Sequence, residues 1–149
     1  MSAEATTQRV AIGRVAARLA RHIDIVLAEL ELSPSQYRVL GILSLGPEGA
    51  SRLASNLAIS KPSLTGVVDG LVAHGLIGRK DDASDRRRVA LALTPAGSRI
   101  LQKADRALER RLESILAHAD PEDAALAREG LAAWQTPLEA DRIARGVRR

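Results

Sequence analysis

The sequence has 149 residues, a length that fits one domain with a buried core. Its formal net charge of +4 suits a phosphate-rich partner, and the absence of cysteine excludes disulfides and thiol redox chemistry in this chain. The apolar residues are almost all aliphatic, because there is no Phe and there are only one Tyr and one Trp, and this composition favours helix over strand. No apolar run approaches the roughly 18 residues of a membrane span and the N-terminus lacks a signal-peptide core, so we expect a cytoplasmic protein without a membrane partner.

The first half of the chain predicts four helices. Apolar residues at three- and four-residue spacing predict an amphipathic helix from Ile12 to about Glu31. Ser33-Pro34-Ser35-Gln36 has the pattern of a capping box and begins a second helix, which Gly46-Pro47 ends. The sequence then predicts a short helix over 50–57 and a longer helix that Ser60 caps and Gly75 ends. The lengths of these two helices and their start and stop residues are typical of a helix-turn-helix.

After Gly75 the period of the apolar pattern changes from helical to alternating. Residues 76–80 and 88–93 read as two strands of a β-hairpin around a polar turn, with Val89, Leu91 and Leu93 on one face. Thr94-Pro95 then begins another helix. Asp120-Pro121 begins the last one, in which Trp134 is expected to anchor a core or an interface and which Pro137 should end or kink.

A recognition helix reads DNA through its N-terminal turn, which reaches base edges and phosphates in the major groove. In this chain that turn carries small polar residues and one lysine, whose side chains can bond either phosphate or base. The candidate DNA-binding residues of this helix are Ser60, Lys61, Pro62, Ser63 and Thr65.

The hairpin concentrates basic residues next to that helix. We therefore add its charged residues to the candidate DNA-binding set: Arg79, Lys80, Asp85, Arg86, Arg87 and Arg88. In one interpretation Asp85 orients Arg87 so that the arginines grip phosphate or enter a minor groove. In the other, the nearby aspartates balance the charge and the hairpin is merely solvated, and composition does not separate the two.

Several motifs resemble the MarR (multiple antibiotic resistance regulator) family of transcriptional regulators. The hairpin motif Asp85-x-Arg87, followed by Leu91-x-Leu93-Thr94-Pro95-x-Gly97, looks like the wing signature of that family. The segment from Leu32 to Leu40 is similar to its second helix. Leu53-Ala54 and the pattern Thr65-x-x-x-Asp69-x-Leu71-x-x-x-Gly75-Leu76-Ile77 match its support and recognition helices. The resemblance covers roughly residues 10–140.

The resemblance implies a mainly α fold with a small β-hairpin wing. It implies a winged helix-turn-helix lobe over about 33–94, and N- and C-terminal dimerisation helices over about 8–31 and 95–145. It also implies a homodimer that binds double-stranded DNA at a pseudo-palindromic operator, most simply as a repressor that a small anionic or phenolic ligand releases. The apolar stripes at 12–30 and 101–116 exceed what one small winged helix would cover, which agrees with a dimer interface. The chain departs from the family at Gly66 and Gly70, where arginine is frequent, so two plausible DNA contacts are lost.

A ligand pocket and an enzyme active site are less clearly indicated. His22, Tyr37 and Arg38 could bound a ligand pocket, although such residues more often satisfy local hydrogen bonds. The histidines form no metal motif, and no nucleophile motif or phosphate loop occurs, so we expect no metal, no cofactor and no enzymatic activity. The alternative to a ligand-released repressor is a ligand-independent or architectural DNA-binding protein with a degenerate recognition helix.

Overall fold

The computed structural model describes residues 11–81 and 89–147 of the chain. Within them, seven helices and three short strands follow one another in the order α1 (Ile12–Glu29), α2 (Pro34–Leu43), β1 (Glu48–Gly49), α3 (Ala50–Leu57), α4 (Lys61–Ala73), β2 (Ile77–Asp81), β3 (Val89–Leu93), α5 (Pro95–Leu116), α6 (Pro121–Ala133) and α7 (Gln135–Val147). The fold is mainly α with a small antiparallel sheet, which confirms the predicted fold class.

The helix starts are fixed by the caps that the sequence predicts. Ser33 accepts a hydrogen bond from the Gln36 amide, and the Gln36 side chain accepts one from the Ser33 amide, which completes the capping box. The side chains of Ser60, Thr94 and Asp120 cap α4, α5 and α6 in the same way. Each cap satisfies an amide that the first helical turn leaves without a backbone partner.

The sheet has three strands rather than the two of the predicted hairpin. Its order is β1-β3-β2, and β1 pairs antiparallel with the middle of β3 through Glu48 opposite Leu91 and Gly49 opposite Ala90. The alternation expected in β3 is weaker than predicted, because Ala90 is buried as well as Leu91. The additional strand ties the wing to the segment between α2 and α3.

The core lies where α2 contacts its neighbours. Helix α2 packs against α1, α3, α4 and α5, and Val39 and Leu40 on its inner face are fully buried. The largest fully buried side chains around them come from α1, α3 and α4: Leu27, Leu53 and Leu71. Removing such aliphatic side chains from water supplies the main stabilising free energy of the lobe.

The C-terminal helices differ from the prediction in one respect. Helix α6 ends at Ala133, and α7 already begins at Gln135, so the break precedes Pro137 instead of falling on it. Pro137 lies in the first turn of α7, where the amide that proline lacks would have no partner within the helix.

The apolar side chains of α5 and those of α1, α6 and α7 differ in how far they are buried within the subunit. The first part of the stripe on α5 is used inside the subunit, where Leu101, Ala104 and Leu108 are buried, whereas Leu112 and Ile115 further along it are half-buried. Large apolar side chains are exposed on α1, α6 and α7 and at the junction between α6 and α7. This outer apolar surface comprises Ile12, Val15, Leu126, Leu131, Trp134, Leu138 and Ile143. Within the described residues, no helix is both long enough and apolar enough to cross a membrane.

Candidate nucleic-acid interface

The N-terminal turn of α4 is exposed and its hydroxyl groups shape the helix start. Ser60 Oγ accepts from the Ser63 amide at 3.2 Å and lies 2.8 Å from Ser63 Oγ. Thr65 Oγ1 donates to the Lys61 carbonyl at 3.0 Å, so in this rotamer it offers an incoming group only acceptor sites. Since Pro62 has no amide hydrogen, the Lys61 amide is the donor of this turn that the described residues leave unpaired.

The wing places basic side chains beside that turn. Arg79 of β2 and Lys61 of α4 line one concave cavity of about 320 Å³, together with Thr65 and Asp69 of α4 and residues at the start of α3. Lys80 follows Arg79 on the strand, and its side chain is also exposed. Among the described residues, neither Lys61, Arg79 nor Lys80 has a carboxylate within salt-bridge distance. The structure thus brings Lys61 and Arg79 to one concave face, and neither side chain forms an ion pair with the described residues.

Four of the predicted wing residues, Asp85, Arg86, Arg87 and Arg88, lie outside the described residues. The last residue of β2 and the first residue of β3 are Asp81 and Val89, paired with each other in the sheet. The proposed orientation of Arg87 by Asp85 therefore stays a prediction.

The two glycines of α4 have different environments. A Cβ added at Gly66 would meet nothing within 4 Å, so this position is open on the exposed side of the helix. A Cβ at Gly70 would lie 3.2 Å from Nε2 of Gln36, in the first turn of α2. The expectation that both glycines mark lost DNA contacts therefore fits Gly66 better than Gly70, which faces a neighbouring helix.

The three candidate ligand residues have three different partners. His22 Nδ1 lies 3.0 Å from Nη2 of Arg111 on α5, and the Tyr37 hydroxyl donates to Asp105 Oδ1 at 2.7 Å. Burial, together with the hydrogen bond to Asp105 and the negative charge of that carboxylate, raises the pKa of Tyr37 above its ordinary value.

Arg38 points elsewhere, because its Nη2 donates to the Leu57 carbonyl at the end of α3. It lines a cavity between α2, α3 and α7 whose lining includes neither His22 nor Tyr37. The structure therefore does not gather the trio into one pocket. Sequence reasoning missed this cavity because its lining residues come from three separate segments.

Within the described residues, no group of three His, Asp or Glu side chains converges as a metal site would require.

Three elements define a winged helix-turn-helix protein. They are the support helix α3, the recognition helix α4 with its capped polar first turn, and the wing formed by the paired strands β2 and β3. The model of the MarR family matches residues 32–89, which span α2 to the start of β3. The HTH-type transcriptional regulator FarR of Neisseria gonorrhoeae is 30% identical over 107 residues, covering 70% of this chain and 73% of FarR. The chain belongs to the MarR family and is a transcriptional regulator.

Solved structures agree with this assignment. The transcriptional repressor CouR, in a structure bound to a 23-mer DNA duplex, is 29% identical with a TM-score of 0.67, and the match covers 83% of this chain and 87% of CouR. The apo form of MarR from E. coli is 21% identical with a TM-score of 0.72, covering 83% of this chain and 93% of that chain, and this likeness supports the fold. These relatives are regulators rather than enzymes.

Proposed function

We propose that this protein is a homodimeric repressor that binds a pseudo-palindromic operator and leaves it when a small anionic or phenolic ligand binds. The observation that carries the proposal is the shared concave face of Lys61 and Arg79, beside an exposed helix N-terminus and without a salt-bridge partner for either side chain among the described residues. Unpaired cations on one face suit a polyanion, because each phosphate they neutralise releases a condensed counterion.

In this proposal the two parts of the interface have different tasks. The first turn of α4 enters a major groove, where the Lys61 side chain reaches a guanine or a phosphate and the Ser63 hydroxyl a nearby acceptor or donor. Arg79, Lys80 and the arginines near the wing tip hold the flanking backbone or a narrow minor groove. Domain roles follow the same division, with the lobe over about 33–94 binding DNA and the helices on either side forming the dimer.

The homodimer is supported by the outer apolar surface on α1, α6 and α7. A stable dimer interface usually buries well over about 1,000 Å² and has an apolar centre. Trp134 is 54% exposed and Ile12 73% exposed in the single subunit, and such side chains are typical of surfaces that another chain covers. A two-fold dimer would repeat the interface of each subunit at the spacing of a palindrome.

A titration of DNA binding tests the proposal. Fluorescence anisotropy would compare DNA from upstream of the protein's own gene with random DNA at two salt concentrations. We expect selective, salt-sensitive binding. Lys61→Ala and Arg79→Ala should each weaken it and reduce the slope of log K against log salt by about one phosphate equivalent per subunit. Arg110→Ala, on an exposed part of α5, is the matched control and should bind like the wild type.

Two outcomes would argue against the proposal. Equal and weak binding to both DNAs would favour the alternative, a ligand-independent or architectural protein with a degenerate recognition helix. Unchanged affinity and salt slope in both variants, with the wild type still selective, would mean that this concave face does not contact DNA.

A further inference from the structure

We propose that the side-chain amine of Lys61 is a site of N-acylation, and that an acyl group transferred to it from an acyl phosphate or an acyl thioester weakens DNA binding. The modification rests on the DNA contact of Lys61 in the proposed function and adds a means of regulating it. Lys61 is exposed at the start of α4, and its side chain forms no ion pair with the described residues. The amine is therefore accessible to an acyl donor from solution.

Lysine is rare in this chain, and its distribution is uneven. Lysine and arginine together number 22, but the lysines are only Lys61, Lys80 and Lys103. Two of these three lie in the candidate DNA interface, at the start of α4 and on β2. Arginine binds phosphate as well as lysine does and stays charged, whereas the lysine amine is the usual target of acetylation. A lysine at the start of α4 therefore offers a reactivity that an arginine there would lack.

The position of Lys61 is electrostatically unfavourable for a cation. It is the first residue of α4, where the unpaired amides of the helix produce a partial positive charge. Arg79 adds a second cation to the same concave cavity, whose lining contains one carboxylate, Asp69, that forms no ion pair with either cation. Acylation converts the ammonium group into a neutral amide. It therefore removes a repulsion from the folded protein.

The local fold does not depend on the charge of Lys61. The start of α4 is fixed by the Ser60 cap and by Pro62 in the first turn. The Thr65 hydroxyl bonds the backbone carbonyl of Lys61, which acylation of the side chain leaves unchanged. Loss of the charge should therefore change DNA binding without changing the fold.

The reaction transfers an acyl group from oxygen or sulfur to nitrogen. The unprotonated amine nitrogen attacks the carbonyl carbon of the donor, and a C–N bond forms. The C–O bond to phosphate or the C–S bond to the thiol breaks, and its electron pair leaves with the phosphate or thiolate. That leaving group takes up the proton that the nitrogen loses, and nothing is oxidised or reduced. A donor that carries phosphate groups is also attracted to the cations of this face.

Acylation should weaken the DNA interface without abolishing it. Each modified subunit loses one charge that neutralises a phosphate, whereas Arg79 stays charged. We expect the affinity to fall about tenfold per modified subunit, as the loss of a charge-assisted bond implies. Because the coupling between two binding events is reciprocal, bound DNA should in turn protect Lys61 from acylation.

Two proteins that keep one lysine each form a matched pair for the test. The first carries Lys80→Arg and Lys103→Arg and retains Lys61, and the second carries Lys61→Arg and Lys80→Arg and retains Lys103. Each is treated with acetyl phosphate in one arm and with acetyl coenzyme A in the other. Peptide mass spectrometry measures acetylation of the remaining lysine. Fluorescence anisotropy with upstream and random DNA, and thermal melting by circular dichroism, compare each protein with itself before treatment.

We expect Lys61 to be acetylated at least as fast as Lys103, an exposed lysine of α5 that has Arg99 and Arg106 one turn away. Acetylation of Lys61 should weaken DNA binding about tenfold per subunit, whereas acetylation of Lys103 should change it less than about twofold. The Tm of the first protein should stay the same or rise, because a cation leaves a helix N-terminus. The arm in which Lys61 reacts identifies the acyl phosphate or the thioester as the source.

The proposal is overturned if neither donor acetylates Lys61 in the time that acetylates Lys103, if full acetylation of Lys61 leaves the DNA affinity unchanged, or if the affinity falls only together with the Tm. Any of these results beside selective operator binding by the untreated protein would retain the repressor function and remove the modification site. Equal and weak binding of the untreated protein to both DNAs would reject the repressor function. A further loss of that weak binding on acetylation of Lys61 would still support the site, because phosphate contacts do not depend on sequence.

Discussion

Gly97 shows how a single position can decide the packing of the wing. A Cβ built on it would lie 2.0 Å from the carbonyl oxygen of Leu76 and 2.9 Å from Cδ1 of Leu93, so any side chain collides with backbone. The same Leu76 carbonyl accepts from the Thr94 amide at 3.1 Å and lies 3.0 Å from Thr94 Oγ1. The first turn of α5 therefore sits directly on the chain entering β2, and only glycine permits that approach.

We expect Gly97→Ala to lower the free energy of unfolding by about 3 kcal/mol or more, because backbone cannot move aside as a flexible side chain does. Urea denaturation followed by circular dichroism measures the change. A loss below about 1 kcal/mol, the lower end for overpacked sites, would show that α5 can move away from the wing at little cost.

At Gly66, within the recognition helix, we expect substitution by alanine to raise the free energy of unfolding rather than lower it. The added methyl group of Gly66→Ala meets open space, and alanine is about 1 kcal/mol more favourable than glycine inside a helix. The variant should therefore be more stable in the same urea experiment by up to about that amount. Gly70→Ala, whose methyl group would press on the Gln36 side chain, is the matched control and should gain less.

At the scale of elements, Tyr37 joins α2 to α5. Its hydroxyl donates to Asp105 at 2.7 Å, and the raised pKa of Tyr37 means that the neutral phenol is favoured in the folded state. The stabilisation is therefore fully present below the ordinary tyrosine pKa, about 10, and is lost as the pH rises from there towards the higher folded-state pKa.

Removing this hydroxyl tests the link. Tyr37→Phe should lower the free energy of unfolding at neutral pH by about 1 kcal/mol, the net value of one hydrogen bond, since Asp105 is exposed and regains water. Because Tyr37 is the single tyrosine, phenolate absorbance in the wild type reports its ionisation directly. Phenolate appearing at the pH of a free tyrosine, while the protein is still folded, would contradict the hydrogen-bonded state.

The elements also show what a sequence can and cannot predict. The caps at Ser33, Ser60, Thr94 and Asp120 were predictable because a cap and its amide lie two or three residues apart. Strand β1 was not, because two residues have no periodicity of their own and become a strand only by pairing with Ala90 and Leu91.

The candidate sites divide in the same way. The polar turn of α4 and the basic strand β2 could be found from their order in the chain, and the structure adds that Lys61 and Arg79 share one concave face. The partners of His22 and Tyr37 are on α5, far along the sequence, so no local pattern indicated that the two side chains and Arg38 would diverge. Long-range packing decides such contacts, and helical spacing alone does not specify it.

At the scale of the whole molecule, α6 and α7 expose several large apolar side chains, and clusters of this kind are typical of surfaces that another chain covers. Helix α6 has one buried residue, Ala124, among its 13 residues. Its large apolar side chains Leu126 and Leu131 are 67% and 48% exposed. In the proposed homodimer a second copy covers this surface.

Leu131→Asp should therefore prevent dimer formation, because it places a charge in an interface that excludes water. Sedimentation at micromolar concentration measures the expected change from twice the subunit mass to the subunit mass. Leu45→Glu changes a comparably apolar and more exposed leucine outside α1, α6 and α7, and should remain dimeric. A wild type that is monomeric at these concentrations would refute the homodimer.

The pairing of β1 with the middle of β3 closes a long stretch of chain into a loop that contains both helices of the helix-turn-helix. In terms of chain entropy, that closure is made at the base of the wing, by Glu48 and Gly49, and its cost depends only weakly on how many residues connect β2 to β3. Doubling the length of a flexible connection adds only about 0.6 kcal/mol to the entropy cost of closing it. The same scaffold can therefore carry wings of different reach, whereas an insertion in the turn at Ala58, which has a φ of 54°, would displace the recognition helix itself.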